Sequence, residues 1–109
     1  MSNTKRKKLN NIKGVVKKYL NLLIKEGLPV EKAYLYGSFA KGIAHNGSDI
    51  DVCIVSSKFN PNRDKDRFFL WRKVREIDYR IEPVGFSPAD FVEQDPLVYE
   101  IKNFGIRVV

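Results

Sequence analysis

The stretch LYGSFAKGIAHNGSDIDVCIV, Leu35 to Val55, sets the fold and the chemistry of this chain. Lys32 to Tyr36 reads as a short strand. Gly37-Ser38 marks the turn out of it, and Ser38 to about Ile43 reads as a short helix. His45, Asn46 and Gly47 make a loop. Ile50 to Ser56 is then the clearest strand, apolar on both faces apart from its acidic start. Asp49 and Asp51 flank Ile50 there, and because side chains alternate along a strand, both carboxylates project from one face.

Two like charges held side by side raise each other's pKa unless a cation sits between them. A set of oxygen donors suits magnesium, which takes one or two carboxylates and completes its shell with water and phosphate oxygens. Gly37-Ser38 supplies the complementary part. A helix start offers unpaired N–H groups, glycine lets the backbone approach closely, and the serine hydroxyl adds a donor. Ten residues separate Ser38 from Asp49, enough for a short helix and a return loop to the same sheet end.

Working outward, Leu9, Ile12, Val16, Leu20 and Leu23 recur at spacings of three and four, an apolar helical stripe with lysines on the outer faces. Gly27 and Pro29 stop that helix. Asn60-Pro61-Asn62 reads as a turn and helix start, with Phe68, Trp71 and Val74 as the apolar face that follows. Glu76 to Phe86 reads as a second long strand carrying Asp78, Arg80 and Glu82 on one face. Ser87-Pro88 and Asp95-Pro96 each resemble an N-cap followed by proline in the first helical position. A last helix runs to about Asn103, Gly105 ends it, and Ile106 to Val109 adds a final strand. This order predicts one α+β domain over residues 1–109. It is an α/β sandwich with a short mixed central sheet flanked by helices, an N-terminal helix over 1–27 and a catalytic core over 30–109.

If the strand bearing Asp78 pairs with the strand bearing Asp49 and Asp51, three carboxylates gather around one or two magnesium ions. That is the apparatus for in-line displacement at phosphorus. Asp78 is the expected general base or metal ligand, and Glu82, on the same face, is the alternative third acid. Lys41, one turn into the Gly-Ser helix, is a candidate phosphate contact. His45 reads as an exposed loop residue and Cys53 as a small core residue. Phe68, Phe69 and Trp71 read as core packing, and Arg80 as a partner that orients Asp78 or neutralises the site.

The chain has 109 residues, 43% hydrophobic and 30% charged, with a formal net charge of +7. These are the proportions of a single globular domain. No apolar run is long enough to span a bilayer, and the basic N-terminus lacks the apolar core of a secretory signal. With one cysteine there is no disulfide framework, so a cytoplasmic location is expected. Lys5, Arg6, Lys7, Lys8, Lys13, Lys17 and Lys18 put much of the positive charge on the first helix. They form a solvated face or an attractor for nucleic acid, the former being preferred.

The quoted stretch resembles the Gly-Ser, ten residues, Asp-x-Asp signature of the DNA polymerase beta-like nucleotidyltransferases, and within them the minimal nucleotidyltransferase (MNT) group. Lys41-Gly42 fits the same pattern, and EIDYRIEP, Glu76 to Pro83, resembles the family's third acidic strand. The resemblance covers about residues 30–109. It implies the polymerase beta-like fold, with Gly37 and Ser38 on the ATP triphosphate, where Lys41 is the further candidate from its place on the helix, and Asp49, Asp51 and Asp78 on the metals. It also implies Mg2+-dependent transfer of AMP to a hydroxyl. The chain has too few residues after Phe86 for an acceptor-holding lobe, so the acceptor is expected on another chain. For the minimal group that is a tyrosine of a HEPN-type toxin encoded nearby, with this chain as antitoxin. The alternative is a catalytically silent module of the same fold that binds nucleotide or nucleic acid.

Overall fold

The apolar stripe of the first helix dictates how the layers stack. The computed structural model describes residues 3–45, 47–59 and 64–109. Helix α1 spans Asn3–Lys25, and Ile12, Val16, Tyr19, Leu20 and Leu23 are its buried face. Strand β1 is Lys32–Tyr36, helix α2 Ser38–Lys41, strand β2 Ile50–Val55, helix α3 Asp64–Val74 and strand β3 Ile81–Phe86. Helix α4, Pro96–Phe104, and strand β4, Ile106–Arg107, complete the chain. The expected turn at Asn60-Pro61-Asn62 lies outside the described residues.

The four strands form one mixed sheet in the order β3-β2-β1-β4. β1 is antiparallel to β2 and β4, whereas β2 and β3 run parallel. Alternation divides the sheet into two cores. Ala33, Leu35, Ile50, Val52, Ile54 and Ile81 face α1 and α3 in the larger one. Tyr34, Cys53 and Val55 face Phe91, Val98 and Ile101 in the smaller one. The result is the expected α+β sandwich. The Tyr19 hydroxyl, buried in the larger core, donates to the Leu70 carbonyl at 2.8 Å and fastens α1 to α3. Among the described residues no helix is long and apolar enough to cross a membrane.

Three local readings need correction. The strand expected from Glu76 begins only at Ile81. After α3 the backbone keeps turning, with the Ile77 and Asp78 N–H groups both donating to the Val74 carbonyl. Asp78 then folds onto its own chain, its Oδ1 accepting the Arg80 N–H at 2.9 Å, a local bond that competes with strand pairing.

The helix expected after Ser87-Pro88 is a single turn. Ser87 Oγ accepts the Asp90 N–H at 3.2 Å as a cap would. The chain then turns Phe91 inward, against Tyr34 at 5.5 Å and Phe86 at 5.7 Å between ring centroids. Asp95-Pro96, by contrast, caps α4 as expected, Asp95 Oδ1 accepting the Leu97 N–H at 2.9 Å. Helix α3, finally, buries Leu70 and Val74, while Phe68 and Trp71 are 72% and 51% exposed. Its core-facing positions are spaced by four, and Phe68 and Trp71 fall on the other side.

Candidate active site

Register, more than strand alternation, decides which acids meet. In the parallel ladder Ile50 is the partner of Ile81, and Asp51 is therefore the partner of Glu82. On the other flank Asp51 stands opposite Tyr36, the last residue of β1. Asp49 lies one strand period before Asp51. The Ile50 N–H between them donates to the Arg80 carbonyl at 2.8 Å, which locks the entries of β2 and β3 together. The loop leading in is pinned by Ser48, which is 8% exposed. Its Oγ accepts the His45 N–H at 2.9 Å.

Asp78 does not join this group. Arg80 grips it with two prongs, Nε to Oδ1 at 3.1 Å and Nη2 to Oδ2 at 2.7 Å. That guanidinium holds the Asp78 carboxyl below its ordinary range, outweighing the opposing effect of burial. Asp78 and Arg80 thus shape the turn that delivers β3, and Glu82 occupies the place beside Asp51. Alternation alone allowed both, because residues 78 and 82 share a parity; register separates them.

The remaining carboxylates are crowded. Asp51 is pushed up to about 6, first by burial and then by the charges of Glu82, Asp49 and Glu100. Glu82 is raised by burial, by the charge of Asp49 and by a hydrogen bond with it. Tyr36 beside them is raised too, by burial first and then chiefly by Asp51. A site that drives up the pKa of Asp51 and Glu82 together is one prepared for positive charge.

Gly37 makes the approach possible. Its φ is +75°, and a Cβ built there would collide with the Asp51 carboxylate. It precedes α2 without a side-chain cap, so the first N–H groups of that short helix have no partner within it. Ser38, His45, Ser48, Asp49 and Asp51 line an open cleft of about 570 Å³. Lys41 lies on α2, with Nζ on Glu100 Oε1 of α4 at 2.8 Å. Cys53 is buried within the sheet, and burial pushes its thiol up to about 12, a core thiol with no nucleophilic character.

Among the described residues no three His, Cys, Asp or Glu side chains form a ready-built metal cage. Magnesium does not require one, since it keeps water and takes phosphate oxygens alongside one or two carboxylates. Asp49 and Asp51, oxygen donors one strand period apart against a glycine-lined backbone, fit such an ion.

Comparisons with known proteins agree with this arrangement. Residues 16–107 match the family model described as the nucleotidyltransferase domain. A candidate nucleotidyltransferase from Sulfolobus solfataricus has a similar structure, with a TM-score of 0.69 at 17% identity, over 98% of this chain and 87% of that one. A mutant of the toxin–antitoxin MntA–HpeT is similar at a TM-score of 0.64 and 21% identity, over 85% of this chain and 71% of that one. These likenesses establish a shared fold. A search of curated proteins gives no significant match.

Proposed function

We propose that this chain, which belongs to the nucleotidyltransferase domain family, transfers AMP from ATP to a hydroxyl of a partner protein. The observation that carries the reading is the meeting of Asp49, Asp51 and Glu82 at the paired starts of β2 and β3, facing the Gly37-Ser38 turn. Asp49 and Asp51 hold the Mg2+, and Gly37 and Ser38 receive the triphosphate on backbone N–H groups and the serine hydroxyl. Mg2+ in such a site lowers the pKa of an attacking hydroxyl and screens the phosphate charge.

The residues of the chain orient and move protons. The acceptor oxygen bonds to the α-phosphorus, the bond from that phosphorus to the bridging oxygen breaks, and pyrophosphate leaves. The hydroxyl proton passes to Glu82, the carboxylate beside Asp51 whose affinity for protons is already raised. Lys41, released from Glu100, is within α2 and contributes charge to the phosphates.

The likeness to an MntA–HpeT toxin–antitoxin structure supports a protein acceptor. On that basis the acceptor is a tyrosine of a HEPN-type toxin encoded alongside, and this chain is the antitoxin. An adenylyl group adds bulk and negative charge, which disables an RNA-cleaving pocket by the logic of phosphorylation. The experiment is to incubate the protein with Mg2+, ATP and the adjacent gene's product and to weigh that product intact. A gain of one AMP that disappears with Asp51→Asn supports the reading. An unmodified partner, with AMP found on RNA or a small molecule, overturns the protein acceptor.

A further inference from the structure

Lys41 and Glu100 are 59 residues apart in the chain and meet at 2.8 Å, Nζ on Oε1. Their bridge ties α2, a helix of one turn, to the middle of α4. Glu100 is no distant surface acid. Its charge acts on Asp51 and on Tyr36, and those two stand opposite each other at the site end of β1 and β2. Glu100 is thus a further carboxylate at the rim of the cleft, beyond Asp49, Asp51 and Glu82.

Lys41 lies three residues after Ser38, one helical turn along the same side of α2. An ammonium on a flexible four-carbon stem has two anionic destinations from there. One is the Glu100 carboxylate, and the other is a triphosphate received at the Gly37-Ser38 turn. Both partners of the bridge are solvated, with 41% and 38% of their side chains exposed, so the contact adds little to the fold and opens at small cost. A triphosphate carries several negative charges against the single charge of Glu100, and it draws the ammonium more strongly.

We propose that Glu100 is a clasp on the nucleotide site. It holds Lys41 when the site is empty, yields it to the triphosphate, and takes it back as pyrophosphate leaves. The inference rests on the reading of Gly37-Ser38 as the phosphate turn. Glu100 is a positioning residue that acts through Lys41. A ligand that must displace a contact binds less tightly by the worth of that contact, so the clasp loosens both ATP and the departing pyrophosphate.

The test is isothermal titration calorimetry of Mg–ATP and Mg–pyrophosphate with wild type, Glu100→Gln, Lys41→Gln and the double variant, each verified as folded by thermal unfolding. Glu100→Gln is expected to tighten both ligands by about two- to fivefold, the range an exposed ion pair commands. Lys41→Gln is expected to weaken both. In the Lys41→Gln background the Glu100 change should act by less than about 1.5-fold, and this failure of additivity is the signature of the clasp. Weaker binding by Glu100→Gln, or equal tightening in the two backgrounds, would overturn the clasp and leave the phosphate turn standing. A wild type that does not bind Mg–ATP would overturn the phosphate turn and the clasp together.

Discussion

Two acidic groups stand where β2 and β3 begin, one on β2 and one on the turn that leads into β3, and they are built in opposite ways. Asp78 has a two-pronged guanidinium partner and a backbone donor, and its carboxyl is held down. Asp51 has Asp49, Glu82 and Glu100 around it, and its carboxyl is pushed up to about 6. The first group is complete within the chain. The second is an excess of negative charge that the chain leaves uncompensated, at the mouth of a cleft. A carboxylate with its charge satisfied holds structure; one surrounded by its own kind awaits a ligand.

The widest separation between the two groups is expected in catalysis. Asp51→Asn should lower adenylyl transfer by about a thousandfold or more, because it removes several kcal/mol of metal-mediated stabilisation. Glu82→Gln should cost about a hundredfold to ten-thousandfold, the range of a lost general base. Asp78→Asn should stay within about tenfold of wild type, and initial rates with saturating Mg–ATP measure all three. Loss of activity in Asp78→Asn at unchanged stability would break the contrast.

Stability in a chelator should divide them in the opposite sense. Asp78→Asn should lose about 1 kcal/mol, a charge-assisted hydrogen bond discounted for the 37% exposure of the Arg80 side chain. Asp51→Asn should be as stable as wild type or more so, since it relieves like-charge crowding. The pH dependence carries the signs. Asp51 has its folded pKa raised from 3.8 to about 6, so its ionisation opposes folding fully above pH 6 and not at all below about 4. The advantage of Asp51→Asn should therefore be present at pH 8 and gone near pH 4. Asp78 has its folded pKa depressed below 3.8, so its stabilisation is complete above that value and lost only at lower pH. Urea midpoints between pH 3 and pH 8 give both curves.

The smallest effect concerns Lys41. Its bridge to Glu100 is exposed on both sides, 41% and 38%. Lys41→Gln should change stability by less than about 0.5 kcal/mol. A rise in the KM for ATP without that loss would assign Lys41 to the phosphates.

Much of this was legible from residue order. The stripe from Leu9 to Leu23, the Gly37-Ser38 turn, the Asp49–Asp51 strand and the Asp95-Pro96 cap are local patterns, each with one physical reading. What was not legible depended on long-range pairing. Alternation placed Asp78, Arg80 and Glu82 on one face, but only the Ile50–Ile81 register brings Glu82 beside Asp51. The spacing of Asp78 and Arg80, with an aspartate able to accept the N–H two residues on, was the available signal of a turn. Phe68 and Trp71 were expected in the core and lie outside it, because their hydrophobicity said nothing about which side of α3 meets the sheet.

The contrast between Asp51 and Asp78 is tested most directly by the thermal shift that Mg–ATP produces. A ligand at a hundred times its Kd adds about 2.7 kcal/mol to the folded state. Wild type and Asp78→Asn should therefore rise by the same several degrees with Mg–ATP and scarcely at all with ATP in a chelator. Asp51→Asn should show no Mg-dependent rise. A shift lost in Asp78→Asn, or kept in Asp51→Asn, would contradict the assignment of the site.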